Sequence, residues 1–411
     1  MHPREISIHN YTYLLPDHRI AHHPLAERDQ SKLLVYQGGK ITDDQYSHLA
    51  SCLPGDSLIL FNNTKVVEAR LLFQKSSGAQ IEIFCLAPHE QYADITTALQ
   101  TRQEVLWQCL VGGASKWKAG QVLEKEIKWQ GQTGTLSAHF GEKRPDSFII
   151  HLSWDLPALS FAEILHAAGA IPLPPYIKRK AELDDANRYQ TIYAREEGSV
   201  AAPTAGLHFT ESLMQSLQQK NIEAGYLTLH VGAGTFKPVS ADTMDGHLMH
   251  AEWMDVPVDL IRKIQSTPIE KITTVGTTSM RTLESLYWLG VKIISGKTDT
   301  AVPPTLDQWE IYDTLPQDIP AADALLALIN WMEKNKLNSL VTPTRLLIAP
   351  GYTFRCSRRL VTNFHQPAST LLLLVAALTG DAWKQLYAHA LAGEYRFLSY
   401  GDGCLLDANP L

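Results

Sequence analysis

The sequence has few cysteines and no long apolar run. Its 411 residues include only five cysteines, none of them in a Cys-x-x-Cys pair, at Cys52, Cys85, Cys109, Cys356 and Cys404. This odd, scattered set argues against a cysteine zinc site and favours a reducing, cytoplasmic location. The most apolar run, 371–378, is far shorter than the roughly 20 residues that cross a bilayer, so no membrane contact is predicted.

An excess of positive charge is also missing. The chain has 36 Lys and Arg residues against 43 Asp and Glu residues, and its formal net charge is −7 at pH 7. A nucleic-acid partner would therefore need a local basic patch rather than a generally basic surface. The opening segment MHPREISIHNYTY lacks the apolar core of a signal peptide. The apolar fraction of 45% is typical of a globular protein, and the length favours two domains.

The sequence pattern between residues 66 and 154 differs from that of the rest of the chain. Short alternating runs follow one another here, separated by Gly, Ser, Lys and Pro, and no convincing helical period lies between them. Such spacing is typical of a small β-barrel or sandwich. We therefore predict an α/β fold with two domains. Residues 1–65 and 155–411 form the larger α/β domain, and residues 66–154 form an inserted all-β, barrel-like domain.

The stretch 198–252 predicts a loop, a helix, a strand and a second loop. Thr210 is the predicted N-cap of the helix, and Gly225 is its predicted end. The apolar run 226–231 is a predicted strand that opens into Gly232, Gly234 and Thr235. Small and polar residues just past the carboxyl end of a strand bind ligands in open α/β sheets. The stretch therefore predicts a site.

Further strands and helices are predicted along the chain. Strands are expected at 57–61, 272–275, 345–348, 360–364 and 395–400, and helices at 161–168, 321–336 and 381–392, with another helix capped by Ser369. Several predicted strands end in polar residues, as at Asn62, Gly276 and Asp402. We expect these polar strand ends to converge on one site.

Two motifs have readings that the residues leave open. Gly232-x-Gly234 resembles a dinucleotide fingerprint, but the third glycine is absent and Pro238 follows where a helix should open. Close approach of the backbone to a ligand or a tight turn is the better interpretation. His247-x-x-His250-x-Glu252 has metal-ligand residue types, but Gly246 makes a helix doubtful. Acid–base or hydrogen-bonding roles are favoured, and no metal is expected.

The other candidate site residues each have a structural interpretation as well as a functional one. Thr277, Thr278 and Ser279 begin a predicted helix and would suit a carboxylate or a phosphate, or Ser279 simply caps the helix. A histidine beside a strand end is either a catalyst or a structural hydrogen-bonding group, which applies to His208, His230, His250 and His365. Basic residues near 178–180 and 355–359 either contact phosphates or form solvated faces.

Long motifs carry a resemblance to a known family. They are YQTIYAREEGSVAAPTAGLHFT, TLHVGAGTFKPV, HLMHAE, VGTTSMRTLES, PGYTF, TNFHQPAST and YRFLSYGD, and RIAHHPLAERDQSKLLV and NNTKVVEARL extend the likeness toward the start of the chain. In this order, over nearly the whole chain, they resemble the S-adenosylmethionine:tRNA ribosyltransferase-isomerase family of queuosine biosynthesis. The resemblance implies a larger α/β domain with an inserted β-barrel.

The same resemblance implies an unusual reaction. S-adenosylmethionine acts as a ribosyl donor, and its ribosyl unit is transferred to 7-aminomethyl-7-deazaguanine in the wobble position of a tRNA anticodon loop and isomerised. The product is epoxyqueuosine, and adenine and methionine are released. S-adenosylmethionine is thus a co-substrate, with no true cofactor and no metal. The expected partner is tRNA, and the expected state is a cytoplasmic monomer.

Roles follow for residues within these motifs. Proton transfers call for groups with a tuned pKa, for which the candidates are His208, His230, His250 and Glu252. Predicted to bind substrate are Thr204, Gly206, Gly232, Gly234, Thr235, Thr277, Thr278, Ser279, Arg281, Asn363, His365 and Asp402. Predicted to bind tRNA are Lys178, Arg179, Lys180, Arg355 and Arg358. Of these, 277–279 and Arg281 would hold the methionine carboxylate, and Asn363, His365 and Asp402 would face the nucleobase.

Some positions depart from the family pattern. The family usually has serine where this chain has Ala251, lysine where it has Ala368, proline where it has Glu68 and Asn-Asp-Thr-Arg where it has 62–65. Lost basic charge weakens contact with phosphates. Two alternatives therefore stay open, a paralogous S-adenosylmethionine enzyme with a different acceptor and a non-catalytic RNA-binding relative. An ordinary methyltransferase is disfavoured, because no glycine-rich loop opens a helix.

Overall fold

The computed structural model describes residues 2–118, 120–232, 238–298 and 302–409. Its strands in chain order are β1 (Lys32–Gln37), β2 (Lys40–Gln45), β3 (Ser57–Asn62), β4 (Thr64–Val66), β5 (Arg70–Gln74), β6 (Gln80–Pro88), β7 (Glu104–Gly112), β8 (Leu123–Trp129), β9 (Gln132–Lys143), β10 (Phe148–Trp154), β11 (Gly169–Ala170), β12 (Glu196–Ser199), β13 (Ile222–Leu229), β14 (Glu252–Pro257), β15 (Ile272–Val275), β16 (Ser339–Thr344), β17 (Arg359–Asn363) and β18 (Gly403–Asp407).

The helices connect these strands. They are α1 (Leu49–Cys52), α2 (Ile95–Leu99), α3 (Phe161–Ala168), α4 (Asp185–Arg188), α5 (Glu211–Gln219), α6 (Val258–Ser266), α7 (Thr277–Ile294), α8 (Glu310–Asp313), α9 (Ala321–Lys334), α10 (Thr370–Thr379) and α11 (Ala382–Ala392). A short 3-10 helix at Thr204–His208 lies between β12 and α5.

A nine-stranded mixed sheet forms the centre of the fold. Its spatial order is β16-β14-β13-β3-β15-β17-β18-β1-β2. The four central strands β13, β3, β15 and β17 are parallel to one another, whereas β14 and β18 run antiparallel to them on either side. The carboxyl ends of the four parallel strands and the amino ends of β14 and β18 therefore meet at one edge of the sheet.

Apolar side chains cover both faces of this sheet. On β3, Leu58 and Leu60 pack into the core that also contains residues of α6, α7, α9, α10 and α11. Ile59 and Phe61 point to the opposite face and pack with residues of α1 and α5. This alternation is what a strand with period two requires when helices lie on both faces. The predicted mixed α/β class is confirmed.

A second sheet has its own core. Seven antiparallel strands lie in the order β11-β5-β6-β7-β10-β9-β8. Their buried residues, among them Leu71, Trp107 and Leu136, form a cluster that also includes Phe161 and Leu165 of α3. This sheet and its core thus run from Arg70 to Ala170, past the predicted limit of residue 154. One short helix, α2, lies between its strands, where no helix was predicted.

Capping signals located several helices correctly. The Thr210 side chain accepts a hydrogen bond from the Leu213 N–H at the start of α5, and Ser369 accepts one from the Leu372 N–H at the start of α10. Both predicted N-caps are confirmed. The predicted helix at 321–336 is α9, which ends two residues earlier.

Three local predictions were wrong. Gly225 does not end a helix, because α5 ends at Gln219 and Gly225 lies inside β13. A Cβ at this glycine would lie 2.7 Å from Leu260 and 2.8 Å from Leu60, so close packing explains it. The segments 345–348 and 395–400 are not strands. The strand near the first segment is β16, which ends before residue 345, and the strand near the second is β18, which begins after residue 400. Among the described residues, no helix has both the length and the apolar character needed to cross a membrane.

Candidate functional site

The predicted polar strand ends meet at one edge of the nine-stranded sheet. Asn363 ends β17, and Gly276 and Thr277 follow β15 directly. His230 follows β13, and Glu252 begins the antiparallel neighbour β14. The predicted convergence of strand ends is therefore seen at this edge, but the predicted strand before Asp402 is absent, and neither Asn62 nor Asp402 lines the cleft described below.

A cleft opens at this edge. It encloses about 830 Å³, including solvent at its mouth. Of the predicted site residues, its lining contains Thr204, Thr277, Thr278, Arg281, Asn363 and His365. The other lining residues are Tyr176, Tyr189, Ala201, Ala202, Pro203, Ala205, Val231, Pro238, Gly276, Phe364, Thr362, Gln366, Ser369, Leu371, Leu398 and Ser399.

The first turn of α7 presents donors without partners to this cleft. Gly276 precedes the helix with φ +86°, a conformation that favours glycine. The hydroxyl of Thr278 and Nη2 of Arg281 are buried and have no hydrogen-bond partner among the described residues. Buried donors of this kind, at the positive end of a helix dipole, suit a carboxylate or a phosphate.

Ser279 does not belong to this donor set. Its hydroxyl donates to the main-chain carbonyl of Val275 at 2.7 Å, and its side chain is buried. It lies in the third position of α7, so it does not cap the helix either. Ser279 holds the start of α7 against the end of β15.

Arg281 is held by a buried ion pair. Its Nη1 donates to Oε2 of Glu252, and its Nε donates to the carbonyl of Leu346 at 3.1 Å. Both charged residues are only 5% exposed. Oε1 of Glu252 accepts a hydrogen bond from the Gly232 N–H at 3.2 Å. Glu252 thus fixes the guanidinium of Arg281, which lines the cleft, and Glu252 does not line the cleft itself.

His208 lies behind the cleft with both ring nitrogens engaged. Nδ1 lies 3.4 Å from the carbonyl of Arg28, and Nε2 lies 3.3 Å from Nδ2 of Asn363. The ring stacks on Tyr46, with a centroid distance of 4.1 Å. Burial lowers the pKa of His208 to about 3, so the imidazole is neutral at pH 7.

His365 lines the cleft and is also neutral. Its Nε2 lies 2.9 Å from the hydroxyl of Thr362. Burial lowers its pKa to about 3. Its main chain is fixed as well, because its N–H donates to the hydroxyl of Tyr387 and its carbonyl accepts from Tyr13. His365 is therefore a rigid, uncharged part of the wall.

His230 and His250 lie outside the cleft lining. Nδ1 of His230 is 3.0 Å from the hydroxyl of Thr64, and burial lowers its pKa to about 4. The ring packs on Gly198, whose φ is +143° and where a Cβ would lie 2.8 Å from the ring. His250 is exposed and lies just before β14. The pKa of His247 is lowered by burial and by the charge of His250.

The remaining predicted substrate residues differ in their relation to the cleft. Thr204 lines the cleft. Gly206 lies in the adjacent 3-10 helix, where a Cβ would overlap the hydroxyl of Tyr193, so packing explains this glycine. Asp402 is buried and accepts the N–H groups of Lys32 and Arg396 at 3.0 and 2.7 Å, away from the cleft lining. Gly234 and Thr235 lie outside the described residues.

The predicted tRNA-binding residues lie in two separate places. Lys178 pairs with Asp17 at 2.6 Å, and Lys180 is exposed. Arg179 makes two hydrogen bonds to Asp185, which is buried, so its charge is already neutralised. Arg355 and Arg358 precede β17, at the end of that strand opposite to the cleft.

Sequence reasoning missed several residues of the cleft wall. Tyr176, Tyr189 and Ser399 line it, and the hydroxyls of Tyr176 and Ser399 lie 2.7 Å apart. A signal was present for Tyr189 and Gln366, since both lie inside motifs that carry the family resemblance. Tyr176 follows a proline-rich run that indicated only a rigid connector.

The positions that depart from the family pattern differ in their surroundings. Glu68 lies 2.9 Å from Nδ1 of His166, near the second sheet. Ala251 is exposed, next to Glu252. Ala368 has φ +54°, and its main chain bonds to Tyr11 and Val239. Of the three, Ala251 is the neighbour in sequence of a predicted catalytic residue.

The chain matches one family over nearly its whole length. A family profile described as queuosine biosynthesis protein matches residues 8–406. Proteins named S-adenosylmethionine:tRNA ribosyltransferase-isomerase share 36% identity over 97% of this chain (Xanthomonas oryzae pv. oryzae, 96% of the relative) and 36% over 98% (Dechloromonas aromatica, 97% of the relative). The crystal structure of S-adenosylmethionine tRNA ribosyltransferase from Thermotoga maritima is 26% identical, covering 96% of this chain and 99% of that chain, with a TM-score of 0.44.

The residues matched by the family profile include all strands of the nine-stranded sheet except the last residue of β18. The motifs that form the cleft wall lie within the matched residues 8–406. The chain therefore belongs to the S-adenosylmethionine:tRNA ribosyltransferase-isomerase family of queuosine biosynthesis.

Proposed function

We propose that this chain transfers the ribosyl unit of S-adenosylmethionine to 7-aminomethyl-7-deazaguanine in the wobble position of tRNA and isomerises it. The products are epoxyqueuosine in tRNA, adenine and methionine. The observation that carries this proposal is the match to ribosyltransferase-isomerases over 97% of the chain at 36% identity. S-adenosylmethionine serves as co-substrate, and the acting form is a cytoplasmic monomer.

The methionine carboxylate binds at the start of α7. Support comes from the two buried donors without partners, the Thr278 hydroxyl and Arg281 Nη2, which face the same cleft. A carboxylate would satisfy both donors and would be favoured by the helix dipole. The main-chain N–H groups of the first turn add further donors. Thr204 lines the cleft beside this group.

The proton transfers are assigned to His230, His250 and Glu252. His230 follows β13 and adjoins Val231 of the cleft wall, and its neutral ring can accept a proton at pH 7. Glu252 is next to the cleft through its ion pair with Arg281. His208, which the sequence also predicts as catalytic, has both ring nitrogens bonded within the protein. A positioning role suits His208 better.

The acceptor is a tRNA, and the basic segment 178–180 is the proposed contact on the cleft side. Tyr176, just before this segment, lines the cleft. Lys178 and Lys180 are exposed, and Lys178 pairs only with the exposed Asp17, whereas Arg179 is held by the buried Asp185. Arg355 and Arg358 would contact a more distant part of the tRNA, since they precede β17. A nucleobase would face His365, which lines the cleft.

We also propose an inserted barrel-like domain in which residues 66–154 supply every strand of the second sheet except β11, and α3 completes its core. This is supported by the separate seven-stranded sheet and by a core that is largely its own. The contacts between β5 and β8, at opposite sides of that sheet, indicate that it curls. Its place in the chain, between strands of the nine-stranded sheet, makes the larger domain discontinuous.

Release of adenine tests the function. S-adenosylmethionine is incubated with the protein, with and without tRNA that carries 7-aminomethyl-7-deazaguanine, and adenine is measured by chromatography. We expect adenine release only with that tRNA, together with a gain of mass by the RNA. If the protein binds S-adenosylmethionine but releases no adenine in the presence of that tRNA, the proposed acceptor is wrong and a paralogous enzyme with another acceptor is favoured. If the tRNA were methylated instead, the proposal that the protein transfers a ribosyl unit would be wrong.

A further inference from the structure

Asn363 presents a hydrogen-bond acceptor to the cleft. Its Nδ2 lies 3.3 Å from Nε2 of His208 and 3.5 Å from the carbonyl of Asp402, while its Oδ1 is buried and has no partner among the described residues. The residue is 2% exposed and lines the cleft. If the amide were rotated by 180°, its oxygen would face His208 Nε2 and the carbonyl of Asp402, which are both acceptors. The hydrogen-bonding partners therefore fix the orientation of the amide.

The state of His208 decides this orientation. Nδ1 faces the carbonyl of Arg28 at 3.4 Å, and since a carbonyl only accepts, the ring proton is on Nδ1. Burial keeps the ring neutral, so Nε2 has only a lone pair to offer. Nε2 therefore requires a donor, and Nδ2 of Asn363 supplies it. Stacking of the ring on Tyr46 holds this arrangement in place.

The acceptor of Asn363 lies across from the donors of α7. Asn363 ends β17, and Thr278 and Arg281 belong to the helix that follows β15, the strand next to β17. The start of α7 and Asn363 therefore lie at the ends of two neighbouring strands, which are about 4.8 Å apart. Each of these three side chains has one buried polar atom without a partner, and all three line one cleft.

We propose that these three atoms together recognise the zwitterionic head group of an α-amino acid. Its carboxylate binds Thr278 Oγ1 and Arg281 Nη2, and its ammonium donates to Asn363 Oδ1. His208 is a positioning residue that keeps the oxygen of Asn363, rather than its amino group, toward the ligand. This inference rests on the proposed function, in which the head group is that of S-adenosylmethionine.

Ligand discrimination tests the assignment. Calorimetry without tRNA compares S-adenosylmethionine with its desamino analogue, in which hydrogen replaces the ammonium. We expect the wild type to bind S-adenosylmethionine at least about tenfold more tightly, the range of a charge-assisted hydrogen bond. In Asn363→Leu, which keeps the size of the side chain, this ratio should fall close to one. The matched control is Gln366→Leu, which removes another amide of the cleft and should keep the wild-type ratio.

Two variants of His208 separate positioning from general stability. His208→Phe retains a ring to stack on Tyr46 but removes the acceptor, so the ratio should fall. His208→Gln can again accept from Asn363 and should restore most of it. A purely structural role would weaken both ligands alike and leave the ratio unchanged, which would overturn the role given to His208.

The outcomes distinguish this inference from the proposed function. If the wild type releases adenine on tRNA but Asn363→Leu keeps the wild-type ratio, the ammonium assignment is wrong and the function stands. If instead Asn363→Leu specifically loses discrimination against a 6-oxo purine analogue of S-adenosylmethionine, Asn363 contacts the base. If the wild type does not bind S-adenosylmethionine, both the donor and this inference are wrong.

Discussion

At the scale of single residues, Arg281 depends on Glu252 for its position in the cleft. The two form a buried ion pair in which both residues are 5% exposed. The carbonyl of Leu346 and the Gly232 N–H satisfy further positions of this pair. A guanidinium so constrained can offer the NH2 group of Nη2 in a defined direction, which is what selective recognition of a carboxylate requires.

Removal of Glu252 should therefore cost stability as well as binding. Glu252→Leu leaves the guanidinium buried without a countercharge, and we expect the free energy of unfolding to fall by about 3–5 kcal/mol. The double variant Glu252→Leu/Arg281→Met removes both charges and should regain most of this loss. Urea unfolding measures both. If the double variant were as unstable as the single one, packing rather than charge would explain the effect.

At the scale of elements, α7 links the cleft to the core. Its first turn carries Thr278 and Arg281, and its later part packs against α9 at Gly290. A Cβ at Gly290 would overlap the main-chain carbonyl of Ala324 in α9. The glycine therefore sets how closely the two helices approach, and hence where the first turn of α7 lies over the sheet.

Gly290→Ala should destabilise the protein although alanine favours helices by about 1 kcal/mol. The clash is with backbone, which cannot move aside as a side chain can, so we expect a net loss of about 1–3 kcal/mol in the free energy of unfolding. Affinity for S-adenosylmethionine should also fall, because α7 shifts. The control is Gly55→Ala, where a Cβ would lie no closer than 3.4 Å to any atom. Equal stability of the two variants would contradict this explanation.

Local signals explain which elements the sequence predicts well. Thr210 and Ser369 are correct N-caps because capping depends on residues three positions apart. The segments 345–348 and 395–400 have apolar residues like a strand and are mostly buried, but neither forms a strand, and the pairing of 395–400 is an isolated bridge between Phe397 and Ile20. In the second case a Cβ at Gly401 would lie 2.5 Å from the Arg396 carbonyl, so the chain folds back on itself. Composition alone does not distinguish these cases.

At the scale of the whole molecule, the topology assembles the site. The polar ends of β15 and β17 converge as predicted because parallel strands bring their carboxyl ends to one edge. The link between His208 and Asn363 spans 155 positions in the sequence, and no local pattern indicates it. The same holds for the pair of Arg281 with Glu252. Residue types at strand ends are thus predictable, but the partner of each side chain is not.

The same topology buries neutral histidines at this edge, and this makes stability depend on pH. Burial lowers the pKa of His208 and His365 to about 3 and of His230 to about 4, against an unfolded value of about 6.5. The unfolded chain therefore binds more protons below pH 6.5. The free energy of unfolding should fall as the pH decreases from 6.5 to 5, by up to about 1.4 kcal/mol per pH unit for each histidine.

A single variant isolates one histidine in this dependence. His365→Gln removes one titrating group, so the slope of the free energy of unfolding between pH 5 and 6.5 should decrease by up to about 1.4 kcal/mol per pH unit. Gln366→Leu is the control, since it changes a non-titrating side chain of the same cleft and should leave the slope unchanged. Urea unfolding at four pH values in this window measures the slopes. Equal slopes for His365→Gln and the wild type would mean that His365 titrates as it does in the unfolded chain, and burial in the cleft wall would then not lower its pKa.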